Sequence, residues 1–334
     1  MKTPLTRRSF LAASASAASL ALVPNRANAT EIIRIGTMAP KASLWGQVYR
    51  VWEKAVDEKS GGQLKLEVFY NGIQGDEATM VGKMKTGQLD AAALTSVGLS
   101  KVYRPILTLQ LPGLFRTWEK LDRARDALSA EFEKGLLDAG FVLGGWGDIG
   151  VVRMMSRGFA VRTPDDLRGK KPLTWREDVI GPALYQVIGG VTPVPLSAAE
   201  VLGNLGTGSI DVLSAPAIAA EQLQWAPKLT HIASEGAVMA IGGMIFRKAR
   251  LDALPPDLLG ILKSTGKVAG AALSARVRKE DNAAFERLKE KMTVVTLTDD
   301  EKKKWANVLI DVGKRLSQGT FDPELLKKLI ELAK

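Results

Sequence analysis

The sequence predicts an α/β protein built as two similar domains with a long helical spine behind them. Three observations carry this expectation. Strand and helix patterns alternate over the first hundred residues, a second alternation runs from about residue 141, and the stretch from Pro255 onward reads almost entirely as helix. Strands alternating with helices argue for a mostly parallel sheet covered on both faces. A chain of 334 residues has room for one large or two ordinary domains.

The elements follow in order. The segment "EIIRIGTM" alternates as a short strand and ends before Pro40. Leu44, Val48, Val51, Trp52, Ala55 and Val56 then recur at helical spacing, closed by Gly61-Gly62. "QLKLEVFY" is a strand with "NG" as its turn, "DEATMVGKMKTGQL" a short helix and "DAAALTSV" a strand.

In the second cycle "FVLGGWG" and "VVRMMS" read as two strands. "TPDDLRGKK" reads as a short helix with Thr163 at the cap and Pro164 in its first turn. "KPLTW" is a strand, "DVIGPALYQVIGG" a helix, "VTPVPL" extended, and "DVLSA" a strand. Ser197 with Glu200, and Thr298 with Glu301, have capping-box spacing. The stretch from Pro255 is one long helix or two, followed by a short strand "TVVTL".

The first 29 residues read differently. Lys2, Arg7 and Arg8 precede the apolar, Ala- and Ser-rich run "LAASASAASLALVP", and "ANA" at 27–29 offers a cleavage site after Ala29. This is an export signal, with Thr6-Arg7-Arg8-Ser9-Phe10-Leu11 similar to the twin-arginine type. The run is too short and too rich in small residues to cross about 30 Å of hydrocarbon. The expected product is soluble and outside the cytoplasmic membrane. Loss of Lys2, Arg7, Arg8 and Arg26 brings the formal +10 to about +6. The remaining basic residues are scattered among acids, which argues against nucleic acid as a partner.

Catalytic chemistry has little to work with. There is no cysteine and one histidine, His231, so thiolate and Cys- or His-cluster metal chemistry are excluded and no cofactor is expected. No phosphate-binding loop, dinucleotide fingerprint or nucleophile elbow occurs. Glu177 and Asp178 are adjacent acids that fit a helix start better than an acid–base pair.

A binding site fits better. In open α/β sheets ligands bind beyond the carboxyl ends of strands, often between domains. Those ends carry Ser43 and Trp45, then Thr95 and Ser96, then Thr174, Trp175 and Arg176, then Ser214 and Ala215, with Arg153 in a neighbouring strand and Trp225 downstream.

Several segments, in order, carry a family resemblance: "KSGGQLKLEVFYNG", "MKTGQLDAA", "LPGLF", "TPDDLRGKK" and "VTPVPLSAAEVLGNLGTGSIDVLSAP". With them the chain resembles the extracytoplasmic solute-binding proteins of tripartite ATP-independent periplasmic (TRAP) transporters, in the dicarboxylate-binding (DctP-like) branch. The resemblance implies a periplasmic receptor, not an enzyme, that closes on a small organic solute and delivers it to small and large integral membrane subunits. It implies a monomer or homodimer. It also suggests one domain of residues 30–150 plus about 240–280, and another of 151–239 plus about 281–334.

Two positions depart from that pattern. Leu173 stands where most relatives have an arginine that clamps a ligand carboxylate, and Ala215 where an asparagine is usual. Arg153 lies one residue from another family arginine, and in a strand one residue changes the face. A carboxylate buried against Leu173 would be costly. The expected ligand is therefore either less polar, enclosed by Trp45, Phe115, Trp175 and Trp225, or an acid held by Arg153 or Arg176. An organic acid with an apolar body is the favoured reading. The alternatives are an exported receptor for an ATP-driven importer or a sensor kinase, and an exported hydrolase or isomerase.

Overall fold

A computed structural model describes residues 30–334; the expected export signal lies outside the described residues. The first half begins with β1 (Glu31–Thr37), α1 (Leu44–Lys59), β2 (Leu64–Phe69), α2 (Glu77–Lys85), β3 (Ala91–Thr95) and the single turn α3 (Ser96–Leu99). β1 pairs in parallel with both β2 and β3, as alternation of strand and helix requires.

Next come α4 (Trp118–Asp138) and β4 (Phe141–Ser156). Leu121, Leu128, Phe132 and Leu136 of α4 are buried on one face, and Thr117 caps it by accepting from the Lys120 amide. The two strands read at 141–156 are one. β4 is sixteen residues long, with register shifts between Leu143 and Gly145 and between Asp148 and Gly150. Gly150 marks the second shift with φ 133°; a Cβ there would come within 2.7 Å of Pro216 and 2.9 Å of Asp281.

The second half holds β5 (Leu173–Trp175), α5 (Ile180–Ile188), β6 (Val194–Leu196), α6 (Ala198–Thr207), β7 (Val212–Pro216), α7 (Ala217–Gln222) and β8 (His231–Ala233). The segment after Thr163 is a 3-10 turn, Pro164–Leu167, with its capping box formed. β9 (Val238–Arg247) then runs antiparallel along almost all of β4, and α8 (Lys248–Asp252) follows.

The sheet has eight strands in the order β10-β8-β4-β9-β3-β1-β2, with β7 also on β4 and β10 spanning Thr293–Val295. It is mixed rather than mostly parallel, because β4 and β9 pair antiparallel with each other and with their neighbours. β5 and β6 form a separate parallel pair.

α9 (Pro256–Lys289) is one unbroken helix of 34 residues, about 50 Å long. It crosses behind β4 and packs on α1 of the first half and α7 of the second. Trp52 of α1 donates its indole N–H to the Thr265 hydroxyl at 3.0 Å. α10 (Asp299–Leu316), whose Thr298–Glu301 capping box is formed, packs on α5. The last helix, α11 (Pro323–Ala333), packs on α4 through Leu325 and Leu329, while Leu326 joins the cluster of Ile180 and Ala183 of α5 with Val312 and Leu316 of α10. Among the described residues no helix is long and apolar enough to cross a membrane.

Candidate ligand-binding cleft

A cavity of about 1630 Å3 lies between the halves, bordered by the ends of β1, β3, β5 and β7, by the middle of β4 and β9, and by α1 and α5. Of the residues singled out from the sequence, Trp45, Thr95, Ser96, Leu173, Trp175, Arg176, Ser214, Ala215 and Trp225 border it. Phe115 and Arg153 do not.

Trp45 sits in the first turn of α1, which Ser43 caps by accepting from the Gly46 amide. The Leu44 amide donates to Gln222 Oε1 of α7 at 2.9 Å, drawing this turn onto the second half. There Trp45 packs in one cluster with Leu173, Leu196 and Trp225. Its indole N–H is buried and has no partner among the described residues.

Leu173 and Trp175 are two apart in β5 and share a face. Leu173 is 5% exposed. The rings of Trp175 and Trp225 lie 6.1 Å apart at a 38° tilt. The residues beneath them are largely apolar, and Thr174 and Ser214 also border the cavity.

The β4–β7 register separates two faces. Met154 is opposite Ser214 and Val152 opposite Pro216, and all four border the cavity. Arg153 is opposite Ala215, on the other face, toward α9. Its guanidinium stacks on Phe285 at 3.8 Å, donates to the Val151 carbonyl at 3.2 Å and lies 3.7 Å from Asp281. Asp281 itself accepts from the Val151 and Ile218 amides. The role expected of Arg153 as a ligand anchor is thus corrected: one step along the strand turned it into the joint of β4, α7 and α9. Ala215 shares that buried face and touches the cavity only at its border.

Phe115 is also corrected. It is buried in the first-half core with Leu121, Leu128 and Phe132, while its neighbours Leu114 and Arg116 border the cavity. The turn entering α4 points it inward.

Thr95 is already engaged: its amide and hydroxyl donate to Glu77 at 2.5 and 2.7 Å. Glu77, the first residue of α2, was not singled out from the sequence; only its place behind a cap residue, Asp76, marked it. Burial pushes its carboxyl above the ordinary value, against the pull of these hydrogen bonds.

The rim is charged. Arg176 donates from Nη2 to both carboxylate oxygens of Glu200, at 2.7 and 2.9 Å, and its Nη1 lies 3.5 Å from Asp76. Glu200 caps α6 and Asp76 caps α2, so one guanidinium joins two helix starts across the cleft. Next to it Glu177, at φ 74°, forms an ion pair with Lys101 of the first half. Asp178 accepts from the Ile180 and Gly181 amides at the start of α5. Glu177 and Asp178 are thus committed to a salt bridge and a helix start. His231 pairs with the Thr230 hydroxyl on β8 and does not border the cavity. None of these forms a reacting pair.

Residues 35–318 match the model of DctP, bacterial extracellular solute-binding protein family 7. The chain belongs to this family. It is a family of solute receptors, not of enzymes. Among its relatives, the 2,3-diketo-L-gulonate-binding periplasmic protein of Escherichia coli is 26% identical over 307 residues, 87% of this chain and 88% of that protein. A solute-binding protein of Verminephrobacter eiseniae is 28% identical over 280 residues, 82% of each.

Solved structures of the family share the fold. A TRAP periplasmic solute-binding protein of Sulfurospirillum deleyianum with bound succinate superposes with TM-score 0.84 at 18% identity, covering 92% of this chain and 100% of that one. The sugar-acid-binding protein of Advenella mimigardefordensis in complex with galactonate gives 0.85 at 17%, covering 91% and 98%.

Proposed function

We propose that this protein is a periplasmic receptor that encloses a small organic acid with an apolar body and delivers it to the small and large membrane subunits of a TRAP-type transporter. One observation carries the reading: an aromatic-floored cavity lies between two halves that already touch at a charged rim. Its volume exceeds the 300–1,000 Å3 or so of ordinary small-molecule sites, so enclosing one small acid requires the halves to approach. The relatives' names and bound molecules, among them 2,3-diketo-L-gulonate, succinate and galactonate, support an organic acid.

The domain division that supports closure assigns residues 30–150 and about 240–280 to one body and 151–239 and about 281–334 to the other, with α11 packing on both α4 and the α5–α10 cluster. Periplasmic residence rests on the N-terminal sequence and on the family.

Mass spectrometry of small molecules released from protein purified from the periplasm tests the proposal. An organic acid at near-stoichiometric amount is the expected result, and its readdition raises the melting temperature with concentration. Protein that stays in the cytoplasm, or that shows no thermal response to any organic acid, contradicts it.

A further inference from the structure

The cleft distributes charge unevenly, and this bears on which acid it takes. Beside the Trp175–Trp225 pair the adjacent basic residue is Arg176, next in the chain and at the cavity border. Arg153 is on the far face of the sheet, and Leu173 occupies the floor. Arg176 is bound unequally: Nη2 holds both oxygens of Glu200 at 2.7–2.9 Å, while Nη1 has only Asp76 at 3.5 Å. An incoming anion can take that looser position and leave the Glu200 pair intact.

We propose that the ligand is a monocarboxylate with a flat aryl body, its carboxylate replacing Asp76 on Arg176 and its ring lying against Trp175 and Trp225. This rests on the receptor reading and narrows it. Beside the tryptophan pair one anionic group is matched by one exchangeable cation; of the other basic residues at the cavity border, Lys101 is paired with Glu177 and Lys302 with Glu235, and Arg116 stands on the turn before α4. A second carboxylate reaching the floor would lie against Leu173 without a counter-charge, which a buried ion does not tolerate. A polyhydroxylated acid would find the Thr95 and Ser197 hydroxyls at the cavity border already committed to Glu77 and Glu200. A ring, by contrast, can extend the aromatic cluster by lying against the Trp175 side of the Trp175–Trp225 pair, whose own rings are already in contact at 6.1 Å. The unpaired Trp45 indole N–H in the same cluster adds one donor for a single oxygen on the body, such as a ketone or phenol.

Titration calorimetry of the periplasmic protein with phenylacetate, phenylpyruvate, indole-3-acetate, succinate and galacturonate decides the matter. The expected result is at least one aryl acid binding about tenfold or more tighter than succinate and galacturonate. Trp175→Ala and Arg176→Gln each weaken that acid by about tenfold or more, while Trp175→Phe keeps most of the affinity and controls for folding. If succinate or galacturonate binds tighter than every aryl acid, the receptor reading stands and the aryl assignment falls. Aryl binding that ignores both Trp175→Ala and Arg176→Gln also overturns it. If no organic acid binds, both readings fall together.

Discussion

The guanidinium of Arg153 lies over the ring of Phe285, 3.8 Å from its centroid, on the face of the sheet that looks away from the cleft. The pair closes a buried joint with Asp281, whose carboxylate takes the amides of Val151 and Ile218. Arg153→Ala strips Asp281 of its counter-charge and opens space against Phe285. The expected loss of unfolding free energy is about 2–4 kcal/mol, measured by urea denaturation, with ligand affinity changed less than about twofold. A large affinity loss in a stable variant would contradict the placement of this residue.

The rim pair Lys101–Glu177 is half exposed, and exposed pairs contribute little, about 0.2–1 kcal/mol. It spans the cleft, so that small term acts on closure. Lys101→Glu or Glu177→Lys alone weakens ligand binding by about two- to fivefold at low salt, and the double exchange restores it. High salt flattens the differences. Single variants with unchanged affinity at low salt would remove the pair from the closing mechanism.

Glu77 sets a pH dependence of definite sign. Burial raises its folded value above the ordinary carboxyl value, so the folded state holds its proton longer than the unfolded state. This favours folding at acid pH, and the advantage is lost as pH rises through the folded value. Glu77→Gln removes it, so the variant's stability falls less steeply than wild type above about pH 4.5, followed by denaturation midpoints across pH.

Glu301 acts in the opposite direction. Arg162 is the main cause of its carboxyl being held down to about 2, with the Thr298 amide next. Its contribution is present above the ordinary carboxyl value and disappears as pH falls toward 2. Glu301→Gln narrows the acid-side loss of stability, and a melting series from pH 5 to about 2.5 reads the difference.

Leu173→Arg puts a guanidinium where the floor is 5% exposed and apolar. The variant melts earlier without ligand, by roughly 2–4 kcal/mol of stability, and regains part of that on adding succinate. No succinate-dependent recovery would show that this position does not reach the bound solute.

Local chemistry was legible in the sequence where a few adjacent residues decide it. The capping boxes at Ser197–Glu200 and Thr298–Glu301 formed as spaced, and β1, β2 and β3 fell where alternation put them. α4 and β9 went unread, although Thr117 and the row of buried apolar positions after it were visible. The glycines of β4 looked like breaks, but they are the bulges of one bent strand. Side-chain direction was the least legible property. Trp175 and Trp225 meet because β5 and the segment after α7 converge, whereas Arg153 and Phe115 turned away for reasons of register and turn geometry that no local pattern encodes.

α9 is a single rod that touches α1 at one end and α7 at the other, and the bent β4 runs across it. Two stiff members crossing at one joint leave the halves few independent directions of travel. If the halves close on a solute as proposed above, the change reaches the outside as a new angle between two outer surfaces, which a membrane-bound partner could read without contacting the solute.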